Sequence, residues 1–180
     1  MSTAAAVFLD RDGVLNRAVM RDGKPYPPAS VDELEIVPDA AHALLRLRAA
    51  GYLLIVATNQ PDVGRGTTEL AAVAGINDRL RASLPLDAVA MCTHDNADQC
   101  ACRKPKPGML LQAAEQFGID LSRSYMIGDR WRDIDAGKAA GCRTALIGDG
   151  YAEGLKSVPD VIVGTLSEAA DWILHEPNRE

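Results

Sequence analysis

The sequence lacks an excess of positive charge. Its 19 Lys and Arg residues are outnumbered by 25 Asp and Glu residues, which gives a formal net charge of −6 at pH 7. Proteins that bind nucleic acids non-specifically present a basic face to the phosphate backbone. The charge balance therefore argues against a nucleic-acid partner. Any phosphate-binding site has to use a few individually placed cations.

Long apolar runs are also missing. The longest apolar stretches are far shorter than the ~20 residues that a membrane-spanning helix needs. The first residues, Met-Ser-Thr-Ala-Ala-Ala, have neither the basic start nor the apolar core of a secretory signal peptide. We therefore expect a cytoplasmic protein with no membrane partner. In that compartment the four Cys residues are expected to be metal ligands or free thiols rather than disulfides.

The composition is that of an ordinary globular domain. A chain of 180 residues with 47% hydrophobic and 24% charged residues can bury one sizeable core. We therefore expect a single domain over residues 1–180. No coiled-coil pattern and no exposed apolar stripe indicates assembly, so a monomer is expected.

Apolar runs alternate with helical patterns along the chain. Short apolar runs predict six strands: Ala5–Leu9, Tyr52–Ala57, Ala88–Met91, Ser124–Ile127, Arg143–Ile147 and Val161–Val163. Helical spacing predicts a helix between Pro38 and Gly51, a Thr-capped helix Thr68–Leu84, and helices Met109–Phe117, Trp131–Ala140 and Ser167–Leu174. This alternation predicts an α/β fold with a three-layer, doubly wound parallel sheet of the Rossmann-like type. The polar, proline-containing segment Arg17–Val37 is interpreted as a long functional loop.

Two carboxylates, Asp10 and Asp12, end the first predicted strand and are followed by Gly13. The carboxyl ends of strands form the ligand-binding edge of α/β sheets. Two like charges this close repel each other unless a cation lies between them. The pair therefore indicates a metal-assisted acid/base or nucleophilic site. The alternative is a solvated acidic turn, since Asp and Gly commonly form turns.

Further polar residues lie at or just beyond the ends of other predicted strands. They are Thr58 with Asn59, Arg103 with Lys104, and Asp129 with Asp133. Because parallel strands end at one edge, we expect these side chains to meet the first pair of carboxylates. Asp10, Asp129 and the backbone carbonyl of Asp12 would offer hard oxygen ligands to Mg²⁺. Thr58 and Lys104 would donate to phosphate oxygens, so the set suits phosphoryl transfer. Taken separately, each has a simpler interpretation as a turn, a solvated basic pair or a helix cap.

Residues 92–102 contain two close pairs of metal-ligating side chains. They are Cys92 with His94, and Cys100 with Cys102. Two such pairs with a five-residue spacer can surround one tetrahedral Zn²⁺. All four positions would then be protein ligands, so a structural zinc site is expected. The alternative is free thiols with an unrelated His. Cys142, in a predicted helix-to-strand turn, is interpreted as a small core residue.

Four short motifs resemble, in order, those of the haloacid dehalogenase-like phosphatases. They are Asp-Arg-Asp-Gly at 10–13, Thr-Asn-Gln at 58–60, Arg-Lys-Pro at 103–105 and Gly-Asp-Arg at 128–130. The resemblance implies that Asp10 attacks phosphorus and forms an aspartyl-phosphate. It also implies that Asp12 protonates the leaving oxygen and then activates water.

The same resemblance implies which residues hold the substrate and the metal. Thr58 and Lys104 would bind the phosphoryl group, Asp129 would bind Mg²⁺, and Asp133 would orient the surroundings of the metal. Other branches of the family carry an inserted cap domain, and this chain has no segment long enough for one. We therefore expect a capless site whose entrance is shaped by residues 17–37 and by the zinc loop. Such a layout favours hydrolysis over a phosphomutase reaction, which must exclude water.

The zinc segment before Arg-Lys-Pro resembles one subgroup of this family. That subgroup contains D-glycero-D-manno-heptose 1,7-bisphosphate 7-phosphatases and histidinol-phosphate phosphatases. The run from Arg103 and the Gly-Arg-Gly around Arg65 resemble the heptose enzymes, whereas the short spacer from His94 to Cys100 resembles the histidinol-phosphate enzymes. We expect a sugar phosphate substrate, the heptose bisphosphate losing its 7-phosphate. Arg103, and secondly Arg65, would select the distal phosphate, because Arg suits bidentate phosphate recognition. The alternatives are a histidinol-phosphate phosphatase and a zinc-stabilised binding module without catalysis.

Overall fold

Eight strands and six α-helices form the structure, a computed structural model that describes residues 4–176. In chain order the strands are β1 (Ala6–Leu9), β2 (Val19–Arg21), β3 (Lys24–Tyr26), β4 (Leu53–Asn59), β5 (Ala88–Cys92), β6 (Tyr125–Gly128), β7 (Arg143–Ile147) and β8 (Val161–Val163). The helices are α1 (Ala40–Ala49), α2 (Pro61–Gly64), α3 (Leu70–Ser83), α4 (Gly108–Phe117), α5 (Trp131–Ala140) and α6 (Leu166–His175). Residues 1–3 and 177–180 of the predicted domain lie outside the described residues. Residues 1–3 also belong to the N-terminal segment in which the sequence indicates no signal peptide.

Six of the strands form one sheet in the order β5-β4-β1-β6-β7-β8, and each neighbouring pair is parallel. The chain adds β4 and β5 on one side of β1 and then returns to add β6, β7 and β8 on the other. The strand order therefore reverses beside β1, and this switch point is where open α/β sheets bind ligands. All four residues of β1 are fully buried, which explains why its sequence is apolar throughout.

Two hydrophobic clusters cover the two faces of the sheet. Side chains alternate along a strand, so Val7 and Leu9 pack with α1, α3 and α6 on one face. Phe8 packs with α4 and α5 on the other face. The predicted three-layer, doubly wound parallel fold is therefore confirmed. Within residues 4–176, every helix is too short or too polar for a transmembrane span.

The prediction of a loop over Arg17–Val37 is partly wrong, because this segment contains the antiparallel hairpin of β2 and β3. Asp22 and Gly23 at its tip have positive φ angles of 50° and 73°. Two successive left-handed residues are what a two-residue hairpin turn requires, and Asp-Gly is a favoured pair for it. Pro25 lies within β3, which a short two-stranded ribbon tolerates better than a central strand does.

The predicted Thr cap of the third helix is also wrong. Helix α3 begins at Leu70, and Glu69 at its N-cap makes no side-chain capping bond. Thr67 and Thr68 instead donate their backbone N–H groups to the carbonyl of Asp62, at 2.9 and 3.1 Å. These bonds close a turn after α2, so the two threonines belong to the connection and not to the helix.

Candidate active site

The buried carboxylate of Asp10 lies directly beyond β1, where it accepts a hydrogen bond from Lys104 Nζ at 2.7 Å. The same ammonium donates to Asp133 Oδ1 at 2.7 Å and to the carbonyl of Ala57 in β4 at 2.6 Å. All three N–H donors of Lys104 are thus used. Burial alone would lower the pKa of Lys104, but Asp10 and Asp133 outweigh burial and raise it. The lysine therefore stays charged and joins three segments of the chain.

Asp129 follows β6 and completes a group of three buried carboxylates. Oxygen atoms of Asp10, Asp129 and Asp133 lie within 4.8 Å of one another, and Asp129 Oδ1 has no hydrogen-bond partner among the described residues. Lys104 supplies the only ammonium that contacts the group within residues 4–176. Burial and the neighbouring carboxylates therefore raise the pKa of Asp129 to about 9 and that of Asp10 to about 6.

A divalent cation fits this group of carboxylates. It would bind the free oxygen of Asp129 and offset the excess of negative charge beside Asp10. Carboxylate oxygens are also the ligands that Mg²⁺ prefers. Gly13 keeps the place open, because a Cβ at this position would overlap the Asp129 carboxylate.

Asp133 holds its neighbours in place with both carboxylate oxygens. Oδ2 accepts hydrogen bonds from the backbone N–H groups of Asp129 at 3.2 Å and Arg130 at 3.1 Å, while Oδ1 binds Lys104. A Cβ on Gly128 would overlap the Asp133 side chain, so β6 has to end in glycine for this contact to form. The predicted role of Asp133 in orienting the surroundings of the metal stays a prediction.

The carboxylate of Asp12 accepts hydrogen bonds from three side chains. Arg11 contacts both oxygens at 3.1 Å, Asn16 Nδ2 donates to Oδ1 at 3.0 Å, and Gln60 Nε2 donates to Oδ2 at 2.8 Å. Arg11 is fully buried, and its Nη1 donates to Asn77 Oδ1 at 3.0 Å. Sequence reasoning assigned no role to Arg11 or Gln60. An arginine between two carboxylates was the available signal for the first, and the third residue of Thr-Asn-Gln for the second.

Thr58 and Asn59 at the end of β4 differ in their surroundings. Thr58 is buried, and its hydroxyl accepts a hydrogen bond from Gln60 Nε2 at 2.9 Å. Asn59 pairs with the backbone of Lys104 in both directions at 3.0 Å, as Nδ2 donates to the carbonyl and Oδ1 accepts from the N–H. Asn59 therefore fixes the Lys104 segment to the sheet. Asn59 and Gln60 line the cavity described next, whereas Thr58 lies behind them.

A cavity of about 250 Å³ opens above Asp10. Its acidic end contains Asp10, Asp12 and Asp129, and residues 25–27 of the hairpin segment border it. The location of the hairpin agrees with the expectation that residues 17–37 shape the entrance. Four arginines also line the cavity, namely Arg65, Arg103, Arg130 and Arg132.

Carboxylates neutralise two of these arginines. Arg65 donates to Asp95 at 2.6 and 2.8 Å and to Asp62 at 3.2 Å. Arg130 forms an ion pair with Glu153 at 2.9 Å. Arg65 was predicted as a second cation for the distal phosphate, but its guanidinium group is already hydrogen-bonded to two carboxylates.

Arg103 is 9% exposed. Its Nε donates to Asn96 Oδ1 at 2.9 Å and its Nη1 donates to the carbonyl of His94 at 3.3 Å. Arg132, to which sequence reasoning gave no role, makes no hydrogen bond or ion pair with any residue in the range 4–176; its guanidinium carbon lies 5.2 Å from the centre of the Trp131 ring.

The four predicted zinc ligands come together. They are Cys92, His94, Cys100 and Cys102, and their ligating atoms lie within 4.8 Å of one another. The sulfur–sulfur distances are 2.9 to 3.7 Å, and His94 Nδ1 lies 3.3 and 3.5 Å from two of the sulfurs. Zn–S bonds of about 2.3 Å would hold sulfurs roughly 3.8 Å apart, so the residues fit a tetrahedral Zn²⁺ after a small expansion. Cys142 is buried in the core below β1, as its interpretation as a core residue requires.

The cysteine cluster is connected to the catalytic edge of the sheet. Cys100 Sγ accepts a hydrogen bond from the backbone N–H of Arg103 at 3.3 Å. On the other side, the backbone N–H of Gln60 donates to the carbonyl of Cys92 at 2.7 Å. The cluster therefore helps to position Arg103, Lys104 and the Gln60 side chain.

Comparison with known proteins found similar sequences and a similar structure. The family model of HAD-hydrolase-like proteins matches residues 101–169. The chain is 38% identical over 149 residues to the D-glycero-beta-D-manno-heptose-1,7-bisphosphate 7-phosphatase of Pseudomonas aeruginosa, with 80% of this chain and 81% of that protein covered. It is 32% identical over 182 residues to the enzyme of the same name from Escherichia coli K12, with 94% and 88% covered. The crystal structure of D,D-heptose 1,7-bisphosphate phosphatase from B. bronchiseptica, complexed with magnesium and phosphate, superposes with a TM-score of 0.82 at 33% identity, covering 96% of this chain and 99% of that one.

Proposed function

Because the chain belongs to the haloacid dehalogenase-like phosphatases, and is therefore a phosphoric monoester hydrolase, we propose that it removes the 7-phosphate of D-glycero-D-manno-heptose 1,7-bisphosphate. The observation that supports this most strongly is the contact of Asp10 with Lys104 beside the unpartnered oxygen of Asp129. These groups lie at one end of a cavity that arginines line. The relatives compared above bear the name of this reaction.

Asp10 is the nucleophile in this proposal. Its carboxylate attacks the phosphorus atom in line with the leaving oxygen and forms an aspartyl-phosphate. The Lys104 ammonium, 2.7 Å from Asp10, stabilises the negative charge on the phosphoryl oxygens. Asp12 gives a proton to the leaving oxygen and then takes one from the water that hydrolyses the aspartyl-phosphate. Thr58 and Asn59 support the phosphoryl site from β4.

Magnesium is the proposed catalytic cofactor. Asp10, Asp129 and the backbone carbonyl of Asp12 would bind it. When bound, the ion would polarise the phosphoryl group and offset its charge. Two observations support this proposal: the charge excess at the three carboxylates, and the lack of a hydrogen-bond partner for Asp129 Oδ1 among residues 4–176. Asp133 keeps Asp129 and Lys104 in position.

Zinc is the proposed structural cofactor, bound by all four Cys and His ligands. In Cys102→Ser we expect the zinc content to fall from one per chain to near zero, and kcat/KM to fall by roughly 10- to 100-fold. We expect activity to fall because Arg103 and Lys104 follow Cys102 directly, so loss of the zinc would displace both side chains. Metal analysis of protein purified under reducing conditions measures the first effect, and phosphate release measures the second. Cys142→Ala is the control and should retain zinc. A wild-type protein without zinc would contradict the assignment.

The substrate preference tests the proposed function. We expect a higher kcat/KM for heptose 1,7-bisphosphate than for histidinol phosphate, measured as phosphate release at saturating Mg²⁺. The bisphosphate offers a second anion to the arginines of the cavity, whereas histidinol phosphate brings a cationic amine towards them. The reverse ranking would favour a histidinol-phosphate phosphatase. Absence of turnover on both, and on p-nitrophenyl phosphate, would favour a binding module. A cytoplasmic location, a monomeric state and the lack of a nucleic-acid partner stay predictions.

A further inference from the structure

The four arginines that line the cavity are not equivalent. Arg65 and Arg130 have carboxylate partners within 3.2 Å. Arg103 and Arg132 have no ion pair with any residue between positions 4 and 176. Among the described residues, the cavity therefore contains two guanidinium groups that form no ion pair with a carboxylate.

The contacts of Arg103 leave part of its guanidinium group available. Its two hydrogen bonds, to Asn96 and to the His94 carbonyl, use Nε and Nη1 and reach neutral acceptors. Its Nη2 makes no hydrogen bond in the described part of the chain. Burial, and then the positive charge of Arg132, lower the pKa of Arg103. Holding a buried guanidinium near a second cation is unfavourable unless an anion binds between them.

Arg132 occupies the first turn of α5, three residues after Asp129. Its side chain makes no hydrogen bond or ion pair within the part of the chain that is described, and its guanidinium rests 5.2 Å from the centre of the Trp131 ring. Lys156 Nζ lies 3.8 Å from the centre of the same ring, so the ring has two cations against it. The positive end of the α5 dipole points the same way.

We propose that Arg132 is a specificity-determining residue that joins Arg103 in binding an anionic group of the substrate other than the reacting phosphate. This rests on the proposed phosphatase function. A phosphate monoester dianion suits the pair, because a guanidinium binds two phosphate oxygens with parallel N–H donors. Each phosphate of the substrate then has its own cations. Lys104 contacts the reacting phosphoryl group at the acidic end, and Arg132 with Arg103 binds the second phosphate. Arg65 is not part of the pair, since two carboxylates occupy it.

The test compares matched substrates on matched variants. Heptose 1,7-bisphosphate and heptose 7-phosphate differ only in the second phosphate, as do fructose 1,6-bisphosphate and fructose 6-phosphate. Initial rates of phosphate release at saturating Mg²⁺ give kcat/KM for wild type, Arg132→Ala and Arg132→Lys. Arg123→Ala removes an exposed arginine before β6, away from the cavity, and controls for the loss of one positive charge.

We expect wild type to prefer a bisphosphate over its monophosphate, and Arg132→Ala to reduce that preference by roughly tenfold or more, the effect of one lost charge-assisted contact. The loss should appear mainly in KM, with Arg132→Lys in between because it keeps the charge without the planar fork. Arg123→Ala should keep the preference. Equal losses on both members of a pair, or a wild type that hydrolyses p-nitrophenyl phosphate but prefers neither bisphosphate, would overturn the inference while leaving the phosphatase chemistry standing. A wild type that hydrolyses none of these esters would overturn the proposed function instead.

Discussion

Replacement of Asp10 by asparagine is expected to abolish turnover, with a loss on the order of 10⁴- to 10⁶-fold in kcat. The amide cannot attack phosphorus, so no covalent intermediate forms. The fold should survive, because the asparagine oxygen can still accept the hydrogen bond from Lys104 Nζ. The pKa of Asp10 is raised to about 6, so Asp10 is mostly ionised at pH 7, and this ionisation destabilises the metal-free fold relative to the unfolded chain. We therefore expect a metal-free Asp10→Asn protein to have a Tm at least as high as that of wild type.

Phosphate release and thermal unfolding in the presence of a chelator measure the two effects separately. Asp120→Asn is a suitable control, because it replaces an exposed carboxylate that contacts Ser122 and lies away from the cavity. It should leave activity unchanged. A folded Asp10→Asn protein with near-normal turnover would rule out covalent catalysis through this residue.

The second large effect is expected for Asp12→Asn, with kcat lowered by roughly 10²- to 10⁴-fold through loss of the general acid/base. The Asp12 carboxylate accepts hydrogen bonds from Arg11, Asn16 and Gln60. The amide N–H₂ group of asparagine would face some of these donors and would lose at least one bond. A fall in kcat alone would therefore not distinguish the loss of the general acid/base from the loss of a hydrogen bond at residue 12.

The leaving group separates the two causes. p-Nitrophenolate leaves without protonation, so the first step should be slowed much less with p-nitrophenyl phosphate than with a sugar phosphate. The second step still needs a base, and a burst of p-nitrophenolate equal to the enzyme concentration is therefore expected in stopped-flow traces. The same rate loss on both substrates, with no burst, would contradict an acid/base role for Asp12.

The sequence was most informative at positions where burial restricts which residue types can occur. Strand β1 is apolar at every position because both of its faces are covered, and its end places Asp10 at the switch point of the sheet. The cysteine cluster was equally visible, because two short-spaced ligand pairs can close on one metal only in a compact loop. Asp129 could be placed because it follows a strand of the same kind.

The misses have two causes, contacts between distant segments and local turn geometry. Arg65 was assigned to the distal phosphate as a second cation, but it binds Asp95, which lies 30 residues further along the chain. Arg132 was given no role from the sequence, and the fold shows that it lines the cavity without an ion pair to any residue in the range 4–176. The hairpin in residues 17–37 was hidden by its prolines, which also occur in loops. Thr68 was assigned to a cap from residue type alone, whereas its backbone closes a turn.

The central claim is that the phosphoryl group is transferred to Asp10, and locating that group tests it most directly. The Asp12→Asn variant, which should hydrolyse its aspartyl-phosphate slowly, is mixed with p-nitrophenyl phosphate and Mg²⁺, quenched in acid and digested at low pH. Mass spectrometry of the peptides then shows which residue is phosphorylated. One phosphate per chain is expected on Asp10, and none is expected in Asp10→Asn. Phosphate bound to another residue, or released phosphate with no phosphorylated protein at any time, would contradict it.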